Sequence, residues 1–156
     1  MVSLIVAIGK NNLIGLDNKL PWHYKEDMKY FKETTMNKKV IMGEQTFKSI
    51  ISYINKPLPG RTSIIATLTD YTYNDVEVTN DIINFLKNFP KEEEIFIIGG
   101  KIIYDLTLPI ADRLYITHVK KEYSGNVYFE EIDYSKYTIL SKRDSGDLTF
   151  AIYERK

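Results

Sequence analysis

The chain has 156 residues, of which 44% are hydrophobic and 27% charged, and its 21 basic and 21 acidic side chains leave no net charge. These values are typical of one soluble globular domain, which we expect to cover residues 1–156, and they give no indication of a nucleic-acid or membrane partner. Cysteine is absent and only two histidines occur, so we expect no disulfide and no metal site. A cysteine-free chain whose apolar start is too short to span a bilayer fits the cytoplasm.

The first half of the chain predicts buried strands that alternate with helices. Residues 2–8 form an almost continuous apolar run, which is typical of a strand covered on both faces. The polar, turn-rich residues 10–22 predict a long loop, and loops of this length are often functional lids. The other elements predicted here are helices at 24–35 and 44–50, strands at 39–42 and 62–67, and a loop at 51–61.

The second half continues this alternation and ends in a hairpin. It predicts an edge strand at 76–78, a helix to 88 that Asn80 or Asp81 caps, a strand at 95–98, a helix at 101–106, and strands at 111–121, 137–142 and 148–153. The fold class is therefore α/β, with one domain built on a mixed, mostly parallel central sheet of about eight strands. A C-terminal antiparallel hairpin and about four flanking helices complete it.

Asp27 is the first candidate functional residue. On a helical wheel of about 100° per residue, its carboxylate lies on the flank of an apolar face that Tyr24, Met28 and Phe31 form. Such a carboxylate needs a partner, because an unpaired buried charge is very costly. An acid in the first turn also helps a helix to start. Position alone leaves both interpretations open.

Two strand-to-helix junctions, at Gly43 and at Gly99-Gly100, have the chemistry of phosphate sites. At each one a buried strand ends in glycine and a helix begins, and helix N-termini present unpaired N–H groups. Two such junctions at the carboxyl ends of strands could hold the two ends of a dinucleotide. Neither matches a standard Rossmann or P-loop pattern, and a glycine after a strand is more often only a turn.

Arg61 and Thr117 are two further candidates. Arg61 ends the rigid turn Pro57-Leu-Pro-Gly-Arg61, and a fixed guanidinium suits bidentate capture of a carboxylate. The ordinary alternative is a solvated arginine. Thr117 lies within an apolar strand, where it is either a satisfied core threonine or the hydrogen-bond partner of a buried carboxylate.

Five motifs occur in order along the chain: Asn18-Lys-Leu-Pro-Trp-His23 with Asp27, Val40-Ile-Met-Gly43 with Thr46-Phe-Lys-Ser-Ile50, Pro57-Leu-Pro-Gly-Arg61, Ile95-Phe-Ile-Ile-Gly-Gly100 with Tyr104, and Leu114-Tyr-Ile-Thr-His118. Together they resemble the bacterial dihydrofolate reductase family over essentially the whole chain. The resemblance implies an oxidoreductase that transfers a hydride from NADPH to dihydrofolate and gives tetrahydrofolate for one-carbon metabolism. It also implies a monomer that binds a small-molecule substrate and antifolate inhibitors.

The resemblance further implies roles for individual residues. The catalytic residues would be Asp27, Trp22, Leu20 and Thr117. Asp27 would grip the pterin ring and assist its protonation, with Thr117 bonded to it and Trp22 ordering a water. Arg61 would hold the glutamate carboxylate, and residues 9–22 would be the lid. The remaining substrate-binding residues would be Ile5, Val6, Met28, Phe31, Leu58, Ile98 and Tyr104. The cofactor-binding residues would be Ala7, Ile14, Gly15, Gly43, Glu44, Gln45, Thr46, Thr67, Leu68, Gly99, Gly100, Lys101, Ile102, Ile103 and Tyr104.

Three positions depart from the family pattern around the 2′-phosphate of NADPH. Glu44 stands where a basic residue is usual, Leu68 where small polar or basic residues are usual, and Ile102 where a basic or polar residue is common. We therefore expect weak discrimination between NADPH and NADH, with Lys101 as a compensating charge. Residues 51–55 look like an insertion, and Asn126 stands where many members have aspartate, which would alter the support of the lid.

Two other functions remain as alternatives. One is a pyrimidine reductase of riboflavin synthesis with the same fold, and the other is a non-catalytic nucleotide-binding domain. Asp27, the Leu-Pro-Trp entry and Arg61 favour folate over the pyrimidine. Retention of the acid, the lid and both glycine junctions favours an enzyme.

Overall fold

An eight-stranded mixed sheet forms the centre of the computed structural model, which describes residues 1–17 and 19–156. The strands are β1 (Val2–Ile8), β2 (Leu13–Gly15), β3 (Lys39–Gly43), β4 (Thr62–Ala66), β5 (Glu77–Thr79), β6 (Ile95–Ile97), β7 (Arg113–Val119), β8 (Val127–Tyr128), β9 (Tyr137–Ser145) and β10 (Leu148–Arg155). The helices are α1 (Lys25–Thr35), α2 (Glu44–Ile54), α3 (Ile82–Lys87) and α4 (Lys101–Thr107), with 3-10 turns at Lys10–Asn12, Leu108–Ile110 and Tyr134–Lys136. Asn18, the first residue of the first motif, lies outside the described residues.

The order of strands in the sheet is β5-β4-β3-β6-β1-β7-β10-β9. Every pair from β5 to β7 is parallel, and β10 pairs antiparallel with both β7 and β9. The expected α/β class, with its mostly parallel sheet and C-terminal hairpin, is therefore confirmed. In the described part of the chain, no helix is long and apolar enough to cross a bilayer.

The parallel strands are buried on both faces because helices cover both sides of the sheet. Leu4 and Ile41 belong to a core on one side, and Val40 and Phe47 to a core on the other, and all four side chains are fully buried. Burying an aliphatic side chain of this size stabilises the fold by about 1.5–3 kcal/mol. The two layers fix the strands rigidly, so the residues at the strand ends are held in place.

Helix α2 is longer than the sequence predicts. It continues to Ile54, so the prediction of a loop from residue 51 is wrong, and most of the segment that looks like an insertion is the last turn of α2. Asn55 ends the helix in the left-handed conformation, with φ of 60°, and its N–H donates to the Ile51 carbonyl at 2.8 Å. Asparagine tolerates this conformation better than most residues, which makes it an effective helix terminus.

The small sheet of β2 and β8 was also not predicted. β2 falls in a segment that reads as a loop and β8 directly follows the polar residues 124–126, and the two strands are three and two residues long. Strands this short carry no alternation that a sequence pattern would reveal. The remaining elements differ from prediction only at their ends, as for α1, which begins at Lys25 with Tyr24 as N-cap.

Candidate active site

Asp27 and Thr117 meet at the edge where the parallel strands end. Asp27 is in the first turn of α1, and the Thr117 hydroxyl donates a hydrogen bond of 2.7 Å to its Oδ1. Burial raises the pKa of the Asp27 carboxyl, the Thr117 hydrogen bond opposes this rise, and the neighbouring Glu26 adds to it. A carboxylate has about four acceptor positions, so Asp27 keeps acceptor capacity for a ligand.

Trp22 lies in a buried cluster with Leu13 and Val119, five residues before Asp27 in the chain. The side chain is buried, and its Nε1 has no hydrogen-bond partner among the described residues. Buried N–H groups are nearly always paired with protein or with water, so this donor is available to a water or a ligand. The ring packs edge-on against Tyr123 at 5.6 Å, and a Cβ on Gly9 would lie 2.9 Å from Trp22 Cζ3.

The two glycine junctions lie side by side. The Gly43 N–H donates to the Gly99 carbonyl at 2.8 Å, and a Cβ on Gly43 would lie 3.9 Å from the Gly100 nitrogen. Thr46 joins them, because a Cβ on Gly100 would lie 3.3 Å from its Oγ1. The peptide bond between the two glycines is cis. The junctions therefore form one patch of backbone that is partly exposed at Gly43 and Gly100, with a hydroxyl beside it.

Tyr104 ties this patch to β1. Its hydroxyl donates to the Ile5 carbonyl at 2.8 Å, and the side chain is buried. Burial and the charge of Asp27 both raise the pKa of Tyr104, so it stays a neutral donor. Two predicted site residues, Tyr104 and Ile5, thus meet through a hydrogen bond from a side-chain hydroxyl to a backbone carbonyl.

Arg61 is held but not neutralised. Its Nη1 donates to Thr35 Oγ1 at 3.2 Å, and Thr35 in turn donates to the Phe31 carbonyl at 2.8 Å. The Nε of Arg61 is buried with no partner, and no carboxylate pairs with this guanidinium in the part of the chain that the structure describes. Desolvation lowers the pKa of Arg61. An oriented cation with unused donors is suited to a carboxylate ligand.

The lid segment is paired with the loop before β8. The Asn126 N–H donates to the Gly15 carbonyl at 3.0 Å, and its Oδ1 accepts from the Asp17 N–H at 3.1 Å. The Asn126 Nδ2 also donates to Asp17 Oδ1 at 3.0 Å. Gly125 is required here, since a Cβ would lie 2.5 Å from the Gly15 carbonyl oxygen. The asparagine thus supports the lid through both ends of its amide.

Glu44 is held by three donors. Its Oε2 lies 2.6 Å from Lys48 Nζ, and its Oε1 accepts from the hydroxyls of Thr67 at 2.7 Å and Thr69 at 2.6 Å. These contacts, that of Lys48 first, lower the pKa of Glu44 to about 2. Lys101, the expected compensating charge, instead pairs with Asp105 at 3.0 Å.

A tyrosine pair next to the site was not predicted. The hydroxyls of Tyr24 and Tyr123 lie 2.6 Å apart, and Tyr24 also donates to Asp147 Oδ2 at 3.2 Å. Burial and these hydrogen bonds raise the pKa of Tyr24. The twelve tyrosines are spread along the chain, so no spacing signal distinguishes these two.

The other predicted site residues fall into three groups by exposure. Ile5 and Val6 are buried; Ala7, Ile14, Phe31, Leu58, Ile98 and Ile103 are partly buried and packed against the cores. Leu20 and Met28 are 58% and 54% exposed, although the wheel placed Met28 on the apolar face. Leu68 and Ile102 are largely exposed, as is Gln45. In the described ranges, no cluster of three or more His, Asp or Glu side chains is placed to hold a metal.

A parallel sheet with a polar backbone patch and a half-buried carboxylate at the ends of its strands defines an α/β nucleotide-dependent enzyme. The model of the family "Dihydrofolate reductase" matches residues 1–155, and the chain belongs to this family.

The relatives cover nearly all of the chain. It is 37% identical to the dihydrofolate reductase of Bacillus subtilis, over 100% of this chain and 95% of that protein. It is 36% identical to the enzyme of Haemophilus influenzae, over 99% and 98%. Among solved structures, it is similar to dihydrofolate reductase from Enterococcus faecalis complexed with NADP(H) and RAB-propyl, with a TM-score of 0.85 and 30% identity over 100% of this chain and 96% of that one.

Proposed function

We propose that the protein reduces dihydrofolate to tetrahydrofolate by hydride transfer from NADPH. The observation that carries this proposal is the Asp27–Thr117 pair, a half-buried carboxylate held by a threonine of β7 opposite Ala7 of β1, in a chain of the dihydrofolate reductase family. The cofactor supplies the hydride, and the protein supplies binding, orientation and electrostatics.

The residues present fit such a cofactor. A dinucleotide has a pyrophosphate at its middle, and the backbone of Gly43, Gly99 and Gly100 with the Thr46 hydroxyl offers close approach and a donor for it. A side chain on Gly100 would press on Thr46 Oγ1 at 3.3 Å and fill this cradle. We assign the pyrophosphate to this patch and the nicotinamide end to Ala7, Ile14 and Gly15.

Asp27 positions and polarises the substrate. A carboxylate held at one oxygen by Thr117 can accept two N–H donors of a pterin ring in a bidentate pair. This pair fixes the ring and, because it places a negative charge next to it, favours protonation of the ring before it is reduced. To the unpaired Nε1 of Trp22 we assign the ordering of a water that carries the proton.

Arg61 binds the other end of the substrate. Its guanidinium lacks a carboxylate partner within the described ranges and is held by Thr35, so a glutamate carboxylate is the complement that fits. The exposed apolar side chain of Met28 and the half-buried Phe31 and Leu58 give the flat middle of the substrate an apolar surface.

Activity with dihydrofolate tests the proposal directly. Purified protein should oxidise NADPH only when dihydrofolate is added, and Asp27→Asn should lower kcat/KM at neutral pH by about 100-fold or more while leaving the Kd for NADPH nearly unchanged. Asp144→Asn is the matched control, because Asp144 also accepts a threonine hydroxyl, from Thr149, but on the surface. Full activity of Asp27→Asn would remove Asp27 from the mechanism.

The alternatives give different results in the same assay. A pyrimidine reductase would oxidise NADPH with its own pyrimidine substrate and would not bind a methotrexate-type antifolate. A non-catalytic domain would bind the nucleotide without turnover. Membership of the dihydrofolate reductase family and the Asp27–Thr117 pair favour folate over both.

We propose that the protein discriminates only weakly between NADPH and NADH. A carboxylate at Glu44 repels a 2′-phosphate and accepts a hydrogen bond from a free ribose hydroxyl, so NADH should support turnover. The test compares kcat/KM for NADPH and NADH in the wild type and in Glu44→Arg, which should favour NADPH. A wild type that strongly prefers NADPH, with no response to the substitution, would contradict this.

We also propose that residues 1–156 act as one domain, in a monomer located in the cytoplasm. Both proposed binding regions, at Arg61 and at Gly43, are assembled from elements of one chain around one sheet. Sedimentation in the presence of NADPH should give the mass of one chain. A stable dimer would contradict this part of the proposal.

A further inference from the structure

The contacts of Glu44 describe a receptor for an anion. Lys48 Nζ and the hydroxyls of Thr67 and Thr69 converge on one carboxylate at 2.6–2.7 Å. Only 15% of the Glu44 side chain is exposed, although it lies at the start of a surface helix, while 45% of Lys48 is exposed. The negative group at the centre of this arrangement is part of the protein itself.

The threonine hydroxyls are aimed by the backbone around them. The Thr69 N–H donates to Thr67 Oγ1 and the Tyr71 N–H donates to Thr69 Oγ1, each at 3.1 Å. An oxygen that accepts a hydrogen bond from the backbone directs its own proton elsewhere, here toward Glu44. The Asn80 amide donates to the Thr67 carbonyl at 2.7 Å and fixes the same turn. The turn therefore fixes where the two hydroxyl oxygens lie; they are also 3.1 Å from each other, and both have Glu44 Oε1 within reach as an acceptor.

Two other charge pairs of the same spacing lack threonine hydroxyls on the acid in the described part of the chain. Lys101 and Asp105 on α4 lie 3.0 Å apart and are partly exposed. Lys29 and Glu33 on α1 form a pair four residues apart, but their closest atoms are 3.8 Å apart and both side chains are mostly exposed. Exposed pairs of this kind contribute little to stability. Nothing about helix stability requires the two extra hydroxyls at Glu44, so they point to the binding of an anion.

We propose that Lys48, Thr67 and Thr69 form the receptor for the 2′-phosphate of NADPH, and that Glu44 fills this receptor as an internal competitor. This inference rests on the proposed function, which places the cofactor at Gly43, the residue before Glu44. The receptor supplies one cation and two hydroxyls, the donors that a phosphate monoester requires. Lys48, and neither Lys101 nor residue 44, is the cation that recognises the phosphate.

The competitor sets the selectivity. A carboxylate and a phosphate cannot share the same donors, so NADPH must displace the Glu44 side chain while NADH leaves it in place. The displaced carboxylate loses the contacts of Lys48 and both threonines, and this loss weakens NADPH binding relative to an empty receptor. Removing the charge of Glu44 should therefore help NADPH alone, and only while Lys48 is present.

A double-mutant cycle on the full-length protein tests this inference through binding. The Kd values for NADPH and NADH are measured for the wild type, Glu44→Gln, Lys48→Met and the double variant. Glu44→Gln should tighten NADPH by about tenfold, the size of one charge-assisted hydrogen bond, without tightening NADH. In the Lys48→Met background this gain should disappear. Glu33→Gln, which removes the acid of the exposed pair, should change neither Kd.

Each outcome of the double-mutant cycle either supports or overturns the assignment of Glu44 as an internal competitor. Loss of the NADPH gain in the double variant supports the inference, and so does the same pattern with adenosine 2′-phosphate as the probe and adenosine as its control. Equal tightening of both cofactors, no tightening by Glu44→Gln, or a gain that persists without Lys48 would overturn it. Thermal unfolding of each variant separates a loss of fold from a loss of binding. A wild type that reduces dihydrofolate yet shows an overturning pattern leaves the proposed function intact, whereas absence of NADPH binding in all four proteins ends both.

Discussion

Replacing Thr117 with valine removes one hydroxyl and preserves the branched shape of the side chain. Thr117 is buried in β7, so solvent does not replace the lost donor readily. The hydroxyl donates to Asp27 Oδ1 at 2.7 Å, and among the described residues it is the contact that lowers the pKa of this half-buried carboxyl. The substitution therefore changes the energy of the ionised carboxylate more than that of the neutral acid.

The expected cost depends on pH. A hydrogen bond to a charged group contributes about 1.5–3 kcal/mol and a neutral one about 1 kcal/mol. Asp27 is partly exposed, so we take the lower end and expect Thr117→Val to cost about 1.5 kcal/mol when Asp27 is ionised and about 0.5–1 kcal/mol when it is protonated. Because the ionised form loses more than the neutral form, the substitution raises the pKa of Asp27 further.

The sign follows from linkage between protonation and folding. Burial raises the pKa of Asp27 in the folded protein above its unfolded value of about 4, so this group favours folding fully below about pH 4, and that contribution is lost as the pH rises through the folded pKa. Thr117→Val raises the folded pKa further. The loss of stability in the variant should thus grow with pH until Asp27 is ionised in both proteins.

Urea unfolding at several pH values from about 5 to about 8 measures this dependence. Thr149→Val is the matched control, because its hydroxyl bonds the exposed Asp144, whose pKa is lowered by that bond, so its cost should be constant above about pH 5. In an Asp27→Asn background the cost of Thr117→Val should also lose its pH dependence. A cost that is the same at every pH in the wild-type background would refute the reasoning.

Three further predictions concern Arg61 and the tail of the substrate, Asn126 and the lid, and Gly60 in the turn before β4. Arg61→Met should raise KM for dihydrofolate by about tenfold or more with little change in kcat, and a substrate without the glutamate should show no such effect. Asn126→Asp removes the donor to Asp17 and sets two carboxylates together, which should weaken the attachment of the lid by about 1 kcal/mol. Limited proteolysis within the lid should therefore become faster, and unchanged cleavage would contradict the pairing. Gly60→Ala, at a φ of 75° and against Met36, should lower the free energy of unfolding by about 1–3 kcal/mol, and Met36→Ala should relieve only the steric part.

The sequence predicts the sheet well because its strands are buried on both faces and carry long apolar runs. It does not predict the end of α2, since termination depends on the left-handed Asn55 and not on hydrophobic spacing. The pairing of β2 with β8 depends on contacts between segments more than 100 residues apart, which a local pattern does not contain.

Some contacts of the candidate site can be predicted from the sequence and others cannot. The flank position of Asp27 already indicates that it needs a partner, and the resemblance to the family names Thr117 as that partner. Lys48 lies four residues after Glu44, so their pairing follows from helix geometry. The part played by Thr69 does not follow, because the turn after β4 brings its hydroxyl to Glu44 only in the folded chain.

The hydrogen bond between Tyr24 and Tyr123 links the start of α1 to the loop after β7, two elements that are distant in the chain. Tyr24 is the N-cap of α1, three residues before Asp27, and Tyr123 lies six residues after Thr117. The two hydrogen-bonded pairs therefore join the same helix to the same strand and its loop at two points. A body fixed to another at two points loses most of its freedom to rotate about either one. The orientation of the Asp27 carboxylate is thus set in part by the loop after β7, and a substitution at Tyr123 should change that orientation.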